Sequence, residues 1–408
     1  MLTVSLILWA ALGFTPFDED AVRLNNEAVK LLDEARFDLA ITKLVMAHNM
    51  EPDSKAILEN LAAAYAKRGV HAGKQGNLHA AVEDMRAAIR RVPDDPQYRY
   101  FIAVYHYRLG ELPLAEEQVG RGLELASDAE LRVKLRTLKG NILYLGDRLE
   151  EAHAVFKALL LDEPGNAECI RMAAKIKRER AVQRDYHQDI TTYFKLFYDK
   201  SALKLNRQNP LILLLEKERS RVCADLNHFP RTRITVIVYN PDDFQTVTES
   251  EGWVGGLFDR KIRIPLSEVN NHQETIAQVV RHEYTHVIVY ELAPGCPAWI
   301  NEGLACYQQY KQGKGAERMK QLFKKNMKPI PFSKIPHTFM ETSDPRRVSQ
   351  YYIQSHSMME YLVDTYGMGK VRRLLRELAK EGDWVKAFRN AFNRDFETVE
   401  KDWLDALR

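Results

Sequence analysis

RHEYTHVIVYELAPGCPAWINEGLACY, residues Arg281–Tyr307, decides how the second half of this chain is read. His282 and His286 stand four apart, so on a helix they lie on one face, one turn above the other. Two imidazoles so placed can converge on one metal ion, with ring nitrogens about 2.0–2.1 Å from it if the ion is zinc. Glu283 follows the first histidine and projects beside that point. There it can take a proton from water without being a ligand. Thr275–Val280 and Val287–Val289 supply apolar residues at helical spacing, which predicts a buried helix over Ile276–Tyr290. Two histidines and an acid inside a core need a reason, because an unpaired buried charge is costly. Ala293–Pro297 (APGCP) reads as a turn, and Trp299 and Leu304 would pack the next helix back on the first. Glu302 opens that helix, sixteen positions after His286. A hydrolytic zinc site uses three protein ligands and one open position. His282, His286 and Glu302 would supply the three.

Upstream, the texture changes near Tyr193. Thr191–Tyr198 (TTYFKLFY) and Thr232–Tyr239 (TRITVIVY) are rich in aromatic and β-branched residues and read as strands. Gly252–Leu266 reads as two short strands around a turn at Asp259–Arg260, and Asn209–Leu226 as a helix opened by Pro210. From Ser349 to the end the pattern is amphipathic helix. Strands followed by helices predict an α+β domain over residues 190–408.

The first half repeats itself. Ala28, Ala40, Ala47 and Pro52 return at the same offsets as Ala103, Ala115, Gly122 and Ser127, and again as Gly140, Ala152, Leu159 and Pro164. Ala81, Ala88 and Pro93 form the second half of another unit, with an insertion expected around Gly69–Gly76. Small residues let two antiparallel helices approach at their crossing. Proline then ends the second helix, since it lacks the needed N–H. Ala167–Arg184 reads as an amphipathic cap on the last apolar face.

These spacings resemble the tetratricopeptide repeat, a helical hairpin that stacks into an all-α solenoid, here over residues 20–184. The segment from residue 190 resembles the gluzincin metallopeptidases, and more narrowly peptidase-MA-like domains fused to such repeats. The resemblance implies a zincin-like α+β fold and one zinc ion. It makes His282, His286 and Glu302 the ligands and Glu283 the general base of peptide-bond hydrolysis. It also implies an edge strand within Gly255–Leu266 that pairs with extended substrate, and a Tyr or His that steadies the oxyanion. In Tyr351–Gly367 (YYIQSHSMMEYLVDTYG) that residue is Tyr352 or His356. Where some gluzincins place a carboxylate four residues after the third ligand, this chain has Cys306, so a ligand histidine must be oriented by another group. Solenoids of this kind offer a concave face to peptides or partner proteins.

The rest of the composition narrows the function. The 408 residues are 45% hydrophobic and 28% charged, as in ordinary globular chains, which excludes wholesale disorder. A net charge of +3 gives no electrostatic case for nucleic acid. No apolar run reaches the length of a bilayer span. Met1–Phe17 has no charged side chain, and MLTVSLILWAALGF has the length of a signal-peptide core without its basic start. Export to the periplasm or medium is expected if it is cleaved; otherwise it packs on the first helix and the chain is cytoplasmic. Export would tolerate a disulfide between Cys296 and Cys306, which otherwise read as bystanders. His272 and His337 read as surface residues, and Gln309–Ser343 as a flexible flap. The competing reading is a non-catalytic repeat scaffold for complex assembly with a structural metal domain. A retained Glu283 argues for the enzyme, because a purely structural site has no use for a base.

Overall fold

The computed structural model describes residues 19–199, 210–230, 233–240, 242–243, 261–265, 273–310, 313–325, 328–381 and 383–407. The apolar start (1–17), the expected turn at Asp259–Arg260, most of the Gly252–Leu266 hairpin and His272 lie outside them. No helix among the described residues is long and apolar enough to cross a membrane.

The repeats form paired helices: α1 (Glu19–Asp33) with α2 (Phe37–Met50), α3 (Lys55–Lys74) with α4 (Leu78–Arg91), and α5 (Pro96–Leu109) with α6 (Leu112–Leu125). Then come α7 (Ala129–Leu145), α8 (Leu149–Asp162) and α9 (Ala167–Gln183). The repeated small residues mark the crossings. Ala28, Ala40, Ala47, Ala81, Ala88, Ala103, Ala115 and Ala152 are fully buried. A Cβ on Gly122 would stand 2.9 Å from Leu135, and one on Gly140 would stand 2.7 Å from the Phe156 ring. Pro52, Pro93 and Pro164 each fall just beyond the end of a second helix. The residues expected as an insertion at Gly69–Gly76 instead prolong α3 through Lys74. The glycine there is a packing requirement, since a Cβ on Gly73 would meet the Tyr105 ring at 2.5 Å.

Two compact units divide at Leu138–Lys139, inside α7. The second unit contains β1 (His187–Ile190), β2 (Phe194–Tyr198), α10 (Pro210–Leu226), β3 (Ile234–Tyr239) and β4 (Lys261–Pro265). The strands form one sheet in the order β1-β2-β3-β4, antiparallel at the first pair and parallel at the others. Strand β1 was not legible because HQDI is polar and only half-buried. Strand β3 (ITVIVY) is buried along its whole length, as suits a strand covered on both faces. Ile234, Val236 and Val238 enter the main core, while Ile237 and Tyr239 pack with Val182 and Tyr186. Tyr144 near the end of α7, Asp147 in the turn after it, and Glu179 and Gln183 of α9 all contact residues of this sheet.

The helical remainder is α11 (Gln273–Leu292), α12 (Ala298–Gln309), α13 (Lys314–Lys324), α14 (Pro345–Tyr366), α15 (Met368–Glu381), α16 (Trp384–Phe392) and α17 (Phe396–Leu407). Trp299 on α12 anchors them, with its ring 4.9 Å from Phe332 and 5.3 Å from Phe396. Asp344 caps α14 by accepting from the Arg346 N–H, and Pro345 fixes its first turn. The segment expected as a flap is pinned where it is described. Phe332 and Phe339 are buried, and the Gln354 side chain bonds both the N–H and the carbonyl of Ile330. Glu360 reaches from α14 to accept from the Gly313 and Ala316 N–H groups at the start of α13.

Candidate metal centre

Helix α11 carries the histidine pair and is held from outside the site. Arg281 is buried and donates to Glu218 of α10 at 2.9 Å, and to Glu274 on its own helix at 2.9 Å. Helix α12 lies against α14 because residue 303 is glycine; a Cβ there would stand 2.6 Å from the Ser355 carbonyl oxygen. That contact brings Glu302 between α11 and α14.

Three donor atoms then meet. The Nε2 atoms of His282 and His286 are 3.2 Å apart. Glu302 Oε2 is 3.4 Å from the first and 3.5 Å from the second. Around a tetrahedral ion with bonds of about 2.0–2.1 Å, any two ligand atoms stand roughly 3.3 Å apart. The triangle therefore has the edge lengths of a zinc-sized coordination site. Glu302 Oε2 is buried and accepts no hydrogen bond, which is the state of a carboxylate oxygen that needs a cation. The donor set can hold one divalent ion.

Electrostatics point the same way. Burial alone would raise the Glu302 carboxyl, but His286 and His282 hold it well below the usual carboxylate range. Burial works against charge on both rings; Cys306 and Glu302 outweigh it at His282, and Glu302 outweighs it at His286, so both imidazoles shift up. A negative carboxylate thus sits among groups that attract positive charge to it, and a metal cation can replace those protons.

Sequence reasoning missed Asn301. Its Oδ1 accepts from His286 Nδ1 at 2.9 Å, which turns the Nε2 lone pair toward the triangle. An asparagine beside a glutamate carries no signal of its own until helix α12 is placed. Cys306 lies beside His282, and neither it nor Cys296 is in a disulfide.

The oxyanion candidates separate. Tyr352 lies beside Glu302, with its ring 5.1 Å from Phe339. Burial, then the charges of Glu302, Cys306 and Glu283, push its phenol well up, so it stays a hydrogen-bond donor. His356 is 1% exposed and stacks on Tyr310 at 5.5 Å, under the start of α13. Neither ring nitrogen has a hydrogen-bond partner, and the charged neighbour it feels is Arg318. The structure brings Tyr352 to the triangle and places His356 against Tyr310 instead.

That burial has a pH consequence. Burial, then Arg318, lowers the His356 pKa from 6.5 to about 4. The unfolded chain takes the proton first as pH falls. The stability is therefore present in full above 6.5 and is lost as pH drops toward 4. The loss is about 3 kcal/mol. Urea unfolding of the wild type and of His356→Leu at pH 7 and pH 4 should show that difference, because the pH-independent cost of the substitution cancels. An equal pH effect in both chains would refute it.

Residues 220–408 match the family described as Peptidase MA superfamily, and residues 66–130 match the tetratricopeptide repeat. The chain joins tetratricopeptide repeats to a C-terminal domain of the peptidase MA superfamily. It is also similar to the "Uncharacterized protein YhcO" of Bacillus subtilis (strain 168), at 25% identity over 135 residues, or 30% of this chain. That match spans 38% of the relative's length.

Proposed function

We propose that the C-terminal unit is a zinc-dependent peptidase and that the repeats dock its substrate or a partner protein. The observation that carries this reading is the ligand triangle of His282, His286 and Glu302, with Glu283 on the same helix left out of it. Histidine and carboxylate ligands with an open fourth position suit catalytic zinc.

When bound there, zinc supplies Lewis acidity that makes water more acidic and polarises a carbonyl. Glu283 accepts the proton of the attacking water and delivers it to the leaving amine. Tyr352, kept protonated by its surroundings, donates a hydrogen bond to the oxygen that gains charge. Asn301 holds the His286 ring in one orientation, so the centre does not have to reorganise during the reaction.

Tyr352→Phe should lower kcat by on the order of 10²-fold while leaving KM and zinc content nearly unchanged. Unaltered kcat would remove Tyr352 from the mechanism. The function as a whole is tested by incubating the purified chain with an unstructured protein, with and without chelator. Cleavage that stops with chelator and returns with zinc supports the peptidase. Stable binding with no cleavage at any zinc level would favour the scaffold.

A further inference from the structure

A carboxylate on the last repeat hairpin is held by three neighbouring strands. Asp147 lies in the turn between α7 and α8 at φ +59°, a left-handed conformation that aspartate tolerates better than most residues. Its Oδ1 is 3.1 Å from Lys261 Nζ, and its Oδ2 is 3.2 Å from Lys195 Nζ. Oδ2 also accepts from the Thr235 hydroxyl at 2.7 Å. Lys195, Thr235 and Lys261 are register partners across β2, β3 and β4. One carboxylate therefore closes on one cross-strand row.

Glu179 on α9 makes the second grip. It is 3.7 Å from Lys261 and 2.9 Å from Arg263, and it accepts from the Tyr144 hydroxyl at 2.8 Å. Lys261 Nζ also lies 4.1 Å from the centre of the Tyr144 ring. The charges are hidden: the side chains of Lys261 and Glu179 are each 1% exposed and that of Asp147 is 5% exposed.

Burying this many charges is a poor route to stability, because desolvation offsets most of the attraction. It does select one arrangement. A slip of β4 by one residue would turn Lys261 and Arg263 to the opposite face and leave buried charges unpaired. That opposite face matters. It carries Ile262 and Ile264, which lie in one apolar core with Ile276, Val280 and Tyr284 of α11, the helix of the histidine pair.

We propose that Asp147 and Glu179 are positioning residues of the metal-binding unit: from the last repeat hairpin and the helix that follows it they fix strand β4, and through it helix α11. The hairpin is then a working layer of that unit and not a detachable repeat. The expected effect on catalysis rests on the peptidase reading; the fixing of β4 does not.

The test is hydrogen–deuterium exchange on the full chain with Asp147→Asn and Glu179→Gln. Peptides covering β4 should exchange about tenfold faster in both variants, with α1–α6 unchanged. Wild-type exchange at β4 in both would overturn the proposal. Should Asp147→Asn fail to fold, Thr235→Val removes one hydrogen bond to the same carboxylate and should raise β4 exchange severalfold; unchanged rates there overturn the proposal equally. In the same samples kcat should fall with zinc per chain unchanged. Faster exchange with undiminished kcat would break the link to α11. A wild type that cleaves nothing would count against the peptidase reading and leave the exchange comparison intact.

Discussion

A chain carrying Glu283→Gln is expected to keep its zinc and to lose peptide hydrolysis by on the order of 10²–10⁴-fold in kcat. The two side chains have nearly the same shape, so the packing of α11 should survive. Glu283 is not part of the triangle formed by His282, His286 and Glu302, so the substitution removes no ligand. What it removes is an oxygen able to accept a proton and hold it until the amine leaves. Elemental analysis and a cleavage rate on the same preparation separate the two effects. Full activity in that variant would exclude Glu283 as the base. Loss of zinc would show instead that Glu283 supports the centre.

His286→Ala should have the larger structural effect. It deletes one corner of the triangle and leaves His282 and Glu302 as the remaining pair, 3.4 Å apart. Losing a mere orienting partner typically weakens metal binding 10–100-fold. Losing a ligand outright should exceed that, so the purified variant should be essentially metal-free. The metal-free chain should suffer too. Burial raises the Glu302 carboxyl, and His286 is the largest of the influences that hold it down, so its removal weakens that hold. Breaking a buried pair in this way costs on the order of 3 kcal/mol. Chelator-treated wild type and variant should differ by that amount in urea unfolding. Equal stability together with full zinc content would show that His286 does neither job.

What could be read from the sequence was what depends on spacing along one segment. His282 and His286 announce themselves because four residues make one helical turn. Glu302 follows because a turn at Ala293–Pro297 sends the next helix back. The repeat crossings were legible because Ala and Gly recur at fixed offsets, and Gly122 and Gly140 have no room for a Cβ. What depends on distant segments was not legible. Asp147 meets Lys195, Thr235 and Lys261 only after three strands are in register. Arg281 and Glu218 are both ordinary charged residues until α10 and α11 pack together. Tyr352 and His356 lie one turn apart on α14, so periodicity alone could not choose between them. The choice comes from Gly303, which draws α12 onto α14 at Ser355 and sets Tyr352 beside Glu302.

The central claim is that the His282, His286 and Glu302 side chains share a single ion. Anomalous diffraction from zinc-containing crystals of the full chain, collected on both sides of the zinc edge, tests it most directly. The expected result is one anomalous peak about 2.0–2.2 Å from the two Nε2 atoms and the Glu302 carboxylate. A zinc-loaded chain with no peak at that point, or with its zinc held by other residues, would contradict it.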